Sequence, residues 1–193
     1  MWNKVKYVDN NSAMYGITNM IEFLQSTLGP YYGTLKFVHL MFAAMWVFST
    51  ATGYAFYVLP VMKAWRRNPG DVEVVRARNW VMERFDESAI YEHVAFPIVL
   101  ITGPLLYIVG GWSTAQGWID LKLLIIVGLF IPIEITDYYL SHFGGNKAKI
   151  AATGDAVAYE KGMQMHWWFF LVTTPAVMIY GVLVLYLATA KPF

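Results

Sequence analysis

Cysteine is absent from this 193-residue chain. That excludes structural disulfides, Cys-ligated zinc or iron–sulfur clusters, thiolate haem ligation and cysteine nucleophiles. Charge is scarce: Asp, Glu, Lys and Arg make up 14% of the residues, against about 25% in ordinary soluble domains. A net charge of +1, with no Lys/Arg-rich face, argues against a nucleic-acid partner. The N-terminal stretch Met1-Trp2-Asn3-Lys4-Val5-Lys6-Tyr7-Val8-Asp9 lacks an apolar leader core and an Arg/Ser-rich transit character, so the first membrane helix is expected to direct insertion itself. The long apolar runs lack the period-2 alternation of barrel strands, which leaves helices as the way to satisfy the backbone in lipid.

What is abundant is apolar surface. Hydrophobic residues reach 58% and aromatics 17%, with 8 Trp and 13 Tyr, and the mean hydropathy is +0.44. A soluble fold of this length cannot hide that much apolar area, whereas a bilayer can. Four stretches are long enough to cross about 30 Å of hydrocarbon: residues 35–62, 89–110, 118–143 and 165–190. The expected fold is an all-α membrane protein, a single domain over residues 1–193 built as a four-transmembrane-helix bundle. Residues 12–28 carry Met14, Ile17, Met20, Ile21 and Leu24 near helical spacing before Gly29-Pro30, which predicts an amphipathic helix on the membrane surface.

Residues 63–88 and 144–164 form the two loops richer in positive charge. They carry Lys63, Arg66, Arg67, Arg76, Arg78, Arg84, Lys147, Lys149 and Lys161, against Lys4, Lys6, Lys36, Lys122 and Lys191 on the other side. The asymmetry places these loops in the cytoplasm and both termini outside, in a bacterial inner membrane. Within the loops, Pro69-Gly70-Asp71 reads as a turn and helix start, and Asp155 as a cap for an extension of the last helix.

Each ionisable residue held at membrane depth costs roughly 2.5 kcal/mol or more, so each invites an explanation. Lys36, His39, Asp120 and Lys122 fall toward the outer side. Glu92, His93, His142 and His166 fall toward the cytoplasmic side. Glu134 and Asp137 share one helical face, about 12 Å and about 7.5 Å before His142 at 1.5 Å per residue. All four histidines thus sit on or at the ends of the membrane helices, where a neutral imidazole is a common haem-b ligand. His93, His142 and His166 offer a bis-His pair with one to spare, and His39 stands alone in its layer. The plainer alternatives are interfacial histidines, buried hydrogen-bonded pairs and snorkelling lysines. Trp112, Trp118, Trp167, Trp168 and Tyr186 read as an interfacial belt, and Pro97, Pro104, Pro132 and Pro175 as breaks that loosen the later helices.

Lys36-Phe37-Val38-His39 with Trp46, Tyr91 followed by Pro97, Trp118-Ile119-Asp120-Leu121-Lys122-Leu123 and the terminal Ala190-Lys191-Pro192-Phe193 occur in that order. Together they resemble the HemJ-type membrane protoporphyrinogen oxidases, a small haem-containing helical family. The chain departs from that pattern at Val61, Glu92 and Thr173-Thr174-Pro175, where the family carries groups suited to an acidic porphyrin. The resemblance implies haem b on His39, with Lys122 at the same depth, and chemistry on a tetrapyrrole or electron flow to a membrane quinone.

The leading expectation is therefore a membrane oxidoreductase or electron carrier with one or two haems b. His39, His93, His142, His166 and Lys36 would bind the cofactor, and Lys122, Glu134 and Asp137 would serve the chemistry. A second expectation is a non-haem metal enzyme, with iron or manganese held by Glu92, His93, Glu134, Asp137 and a cytoplasmic-side histidine. The third is a non-catalytic accessory subunit of a larger membrane complex. Four helices leave much lipid-facing surface, so a homo-oligomer or a complex subunit is expected.

Overall fold

A computed structural model describes residues 10–113 and 115–192. Lys4 and Lys6, which entered the charge asymmetry, and the terminal Phe193 lie outside the described residues. Among the described residues there is no strand. The helices are α1 (Asn10–Leu28), α2 (Tyr32–Gly53), α3 (Leu59–Arg67), α4 (Val72–Ser88), α5 (Ile90–Val109), α6 (Gly117–Ile125), α7 (Ile131–His142), α8 (Lys147–Ala152) and α9 (Ala156–Ala190). Three runs are long and apolar enough to cross a membrane: Met14–Arg67, Val72–Val109 and Ala156–Ala190. A further rod, α6 and α7, packs with them and carries Asp120, Lys122, Glu134 and Asp137.

The distribution of side chains is that of a membrane protein rather than a soluble one. Phe37, Phe48, Phe56, Ile101, Leu124, Val127, Ile135, Val172 and Ile179 are exposed, while Arg78, Asp86, Glu92, His93, Asp137, Lys147 and His166 are buried. Contiguous apolar surface on this scale needs a lipid partner, and buried charge needs pairing or coordination. The chain is an integral membrane protein.

Proline shapes the rods in two different ways. Pro60 and Pro132 each stand at the second residue of a helix that follows a π-turn, Tyr54–Val58 before α3 and Ile126–Phe130 before α7. A proline ring clashes with the carbonyl one turn back, and the wider π-turn lets that carbonyl withdraw while the rod stays continuous. Pro97, Pro104 and Pro175, read from sequence as breaks, are instead accommodated inside α5 and α9. Gly29-Pro30 ends α1 at Leu28, as expected, but does not break the rod. It tightens into a 3-10 turn, Gly29–Tyr31, and the chain runs on into α2, because a proline at the start of a helical segment gives up an N–H that would have no partner there.

The two cytoplasmic loops of the sequence reading are mostly helix. Asp71 accepts hydrogen bonds from the backbone N–H groups of Glu73 (2.9 Å) and Val74 (3.2 Å) and so caps α4. Asp155 accepts from Ala158 N–H at 2.8 Å and caps α9. The rods therefore extend beyond the apolar depth into a cap made of α3, α4, α8 and the first turns of α9. Two residues counted as loop charges, Arg78 and Lys147, are buried in this cap. Arg78 makes a bidentate pair with Glu160, at 3.0 and 2.8 Å, and lies over the Trp65 ring at 4.6 Å.

Two apolar clusters fill the interior. One joins Trp46, Val47, Ala95, Phe96, Trp118, Phe130 and Val177. The other joins Tyr54, Val58, Met62, Met82, Phe85, Met163, Trp167 and Phe170 on the cap side. Trp118 and Trp167 thus belong to the core and not to an interfacial belt, whereas Trp168 and Tyr186 are exposed. The polar residues Glu92, His93, Glu134 and Asp137 fall between the two clusters along their rods.

Candidate metal centre

Glu92 and His93 open α5, just past the point where α4 passes into it, and Glu134 and Asp137 lie one turn apart on α7. One ligand atom each from Glu92, His93 and Asp137 lies within 4.8 Å of the other two. His93 Nε2 is 3.1 Å from Asp137 Oδ2 and 4.0 Å from Glu134 Oε1. Among the described residues, those same three atoms, His93 Nε2, Asp137 Oδ2 and Glu134 Oε1, are buried without a hydrogen-bond partner.

The opposite atom of each side chain is held from outside. His93 Nδ1 pairs with His142 Nε2 at 2.7 Å, Trp46 donates its indole N–H to Glu134 Oε2 at 2.9 Å, and His166 Nε2 pairs with Asp137 Oδ1 at 3.3 Å. Every side chain is thereby fixed on one atom and left with a free atom facing the centre. In the tautomer that donates Nδ1–H to His142, His93 turns its Nε2 lone pair toward two carboxylate oxygens; in the other, Nε2–H points at Asp137 Oδ2. Three lone-pair donors converging in a buried space repel one another unless a proton or a metal cation lies between them. Metal-ligating histidines and carboxylates are held by just such outer partners.

Behind Asp137 runs a second buried ionic group. Lys147 Nζ donates to Asp86 Oδ1 at 2.6 Å and to His166 Nδ1, and the Lys147 backbone N–H donates to Asp86 Oδ2 at 2.9 Å. Lys147 and His166 are wholly buried and Asp86 nearly so. Burial pulls the Lys147 ammonium below its ordinary value, with the Asp86 carboxylate opposing that shift. His166 spends both ring nitrogens, one on Lys147 and one on Asp137.

A small cavity of about 20 Å³ adjoins the centre, lined by Trp46, Thr50, Glu92, Glu134, Asp137 and Thr174 among others. That is room for one water-sized molecule. His93, His142 and His166, expected to offer a bis-His haem pair with one to spare, are engaged with one another or with their neighbours. His93 and His142 are hydrogen-bonded to each other, and His166 spends its two ring nitrogens on Lys147 and Asp137. Only His93 presents a free nitrogen to the centre.

The outer layer is separate. His39 Nδ1 pairs with Thr102 Oγ1 at 2.8 Å, and Thr102 donates onward to the Ile98 carbonyl at 2.7 Å. His39 Nε2 has no partner among the described residues, and Gly103 lies against the ring. Lys122 is half-buried and Lys36 exposed. Lys122 stands twelve residues before Glu134, about 18 Å along the rod, so the structure does not bring it to Glu134 and Asp137. Sequence reading missed Trp46, Asp86 and Lys147 as parts of the buried networks. A tryptophan in an apolar run and a lysine in a loop give no sign of their partners.

The fold and this arrangement define an all-helical integral membrane protein with a buried carboxylate–imidazole cluster. Comparison with protein-family models, with curated proteins and with solved structures finds no match.

Proposed function

We propose that this chain is a membrane metalloprotein that holds one transition-metal cation, iron or manganese, between Glu92, His93, Glu134 and Asp137. The observation that carries the reading is the set of unpartnered atoms His93 Nε2, Asp137 Oδ2 and Glu134 Oε1, each on a side chain fixed at its other atom. One imidazole with several carboxylates suits iron or manganese better than the softer metals. Such an ion supplies redox or Lewis-acid chemistry when bound. His142, Trp46 and His166 would orient the donor atoms, and the adjoining cavity would admit a small co-substrate. Phe169, Phe170, Ile133 and Val177 form the apolar part of the cavity wall, which favours a small neutral molecule over a charged one. The α6–α7 rod, which supplies Glu134 and Asp137, would be the fourth span of a four-helix bundle. The charge asymmetry supports both termini outside.

Metal analysis of protein purified from iron- and manganese-replete cells tests the proposal. About one ion per chain is expected, with loss of that ion in Glu134→Gln and Asp137→Asn variants that keep their helical spectrum. Metal-free wild-type protein that also fails to take up iron or manganese would refute it.

A second reading, haem b ligated by His39, has one observation in its favour: a free Nε2 on a ring anchored through Thr102. A reduced-minus-oxidised visible spectrum separates the two. A Soret band lost in His39→Gln supports haem at the outer layer. Iron without a Soret band supports the carboxylate centre.

A further inference from the structure

Away from the metal centre, the end of α3 and the first apolar turns of α9 enclose a groove of about 320 Å³, lined by Trp65, Arg66, Pro69, Gln164, Trp167 and Trp168. We infer that this groove binds the headgroup of an anionic phospholipid.

The lining chemistry narrows the ligand. No carboxylate lines the groove, and Arg66 has no carboxylate partner among the described residues; its guanidinium instead lies 5.9 Å from the Trp168 ring. The neighbouring Arg78 is already neutralised by Glu160, so Arg66 is the unspent cation of the wall. Trp167 is buried, and its indole N–H has no acceptor among the described residues. Gln164 lies on the same wall, its amide N–H donating to Glu160 Oε1 at 3.3 Å. An unpaired guanidinium and a free indole N–H together suit a phosphate ester. The remaining walls are aromatic, and the exposed Trp168 stands where the apolar run of α9 begins, at the depth of the headgroups. Lys63 and Arg67 are exposed on the same helix as Arg66, so the approach is positively charged. Basic recesses between membrane helices on an Arg-rich side are the usual seats of anionic lipid. A free phosphate would use the donors and leave the indole walls uncovered, whereas a phospholipid covers both.

Native mass spectrometry of the full chain, released from micelles doped with equal phosphatidylglycerol and phosphatidylcholine, tests this. Retention of phosphatidylglycerol over phosphatidylcholine is expected, falling about fivefold in Arg66→Gln, the effect of one interfacial cation. Arg66 is exposed, so the variant should fold. As a measurement independent of any variant, retention by the wild-type chain should fall as salt rises. Equal retention of the two lipids, or indifference to both salt and Arg66→Gln, would overturn the assignment. Displacement of the lipid by millimolar inorganic phosphate would likewise overturn it in favour of a free-anion site.

Discussion

Two buried ionic clusters sit side by side in this protein and are finished differently. In the cap, Asp86, Lys147 and the Nδ1 side of His166 satisfy one another, and both oxygens of Asp86 are used. In the centre, Glu134, Asp137 and His93 each keep one atom without a partner. Both clusters are buried and both cost desolvation, so burial alone does not distinguish structure from function. The distinction lies in whether the polar atoms are used up. A closed network fixes the approach of α4, α8 and α9. An open one is, on the proposed reading, a set of donors held in place for a cation.

The sharpest way to break this comparison is to remove one partner in the cap. Lys147→Met or Asp86→Asn alone should destabilise the detergent-solubilised protein by about 3–5 kcal/mol, since a buried charge is left unpaired. The double variant should recover much of that loss. A thermal-unfolding series of the two singles and the double reads it directly, and additive losses would contradict a closed pair.

The centre should respond in the opposite sense. Glu134→Gln removes one of several crowded carboxylates, so the metal-free variant is expected to be at least as stable as metal-free wild type. Loaded wild type should lose thermal stability on chelation, and the variant should not. A variant as sensitive to chelator as wild type would remove Glu134 from the ligand set.

Outer partners come next in size. Trp46→Phe keeps the ring but deletes the N–H that holds Glu134 Oε2, and should weaken metal affinity roughly 10–100-fold while leaving one ion per chain at saturation. Competition with a chelator of known affinity measures it. No change in affinity would mean that Trp46 only packs.

The smallest effect is a slope with pH. Burial holds Lys147 below its ordinary value, so across that interval the unfolded chain binds more protons than the folded one. Stability from this residue should therefore rise as pH climbs from the lowered value toward 10.5, and Lys147→Met should flatten that part of the profile. An unchanged slope would show that Asp86 compensates the burial fully.

How much of this was legible beforehand differs by element. The apolar runs gave three spans, Met14–Arg67, Val72–Val109 and Ala156–Ala190, because lipid exposure demands length and hydropathy whatever the neighbours are. Asp71 and Asp155 were readable as caps because capping is local, decided within four residues. Glu134 and Asp137 were readable as a pair because helical spacing alone puts them on one face. Which of His93, His142 and His166 would pair did not follow from that logic. Their mutual distances depend on the rotation of three rods about their axes, and the π-turn before α7 shifts that rotation by a fraction of a turn. Lys147 was counted as a loop charge because its partner, Asp86, lies 61 residues away.

Sequence by itself thus determined the solvent, the helical class and the short inventory of ionisable groups that lipid would not tolerate alone. Tertiary structure decided which of those groups neutralise one another and which three atoms stay free. The reason is physical: hydropathy and capping act within a turn or two of helix, whereas pairing depends on how separate helices turn toward each other.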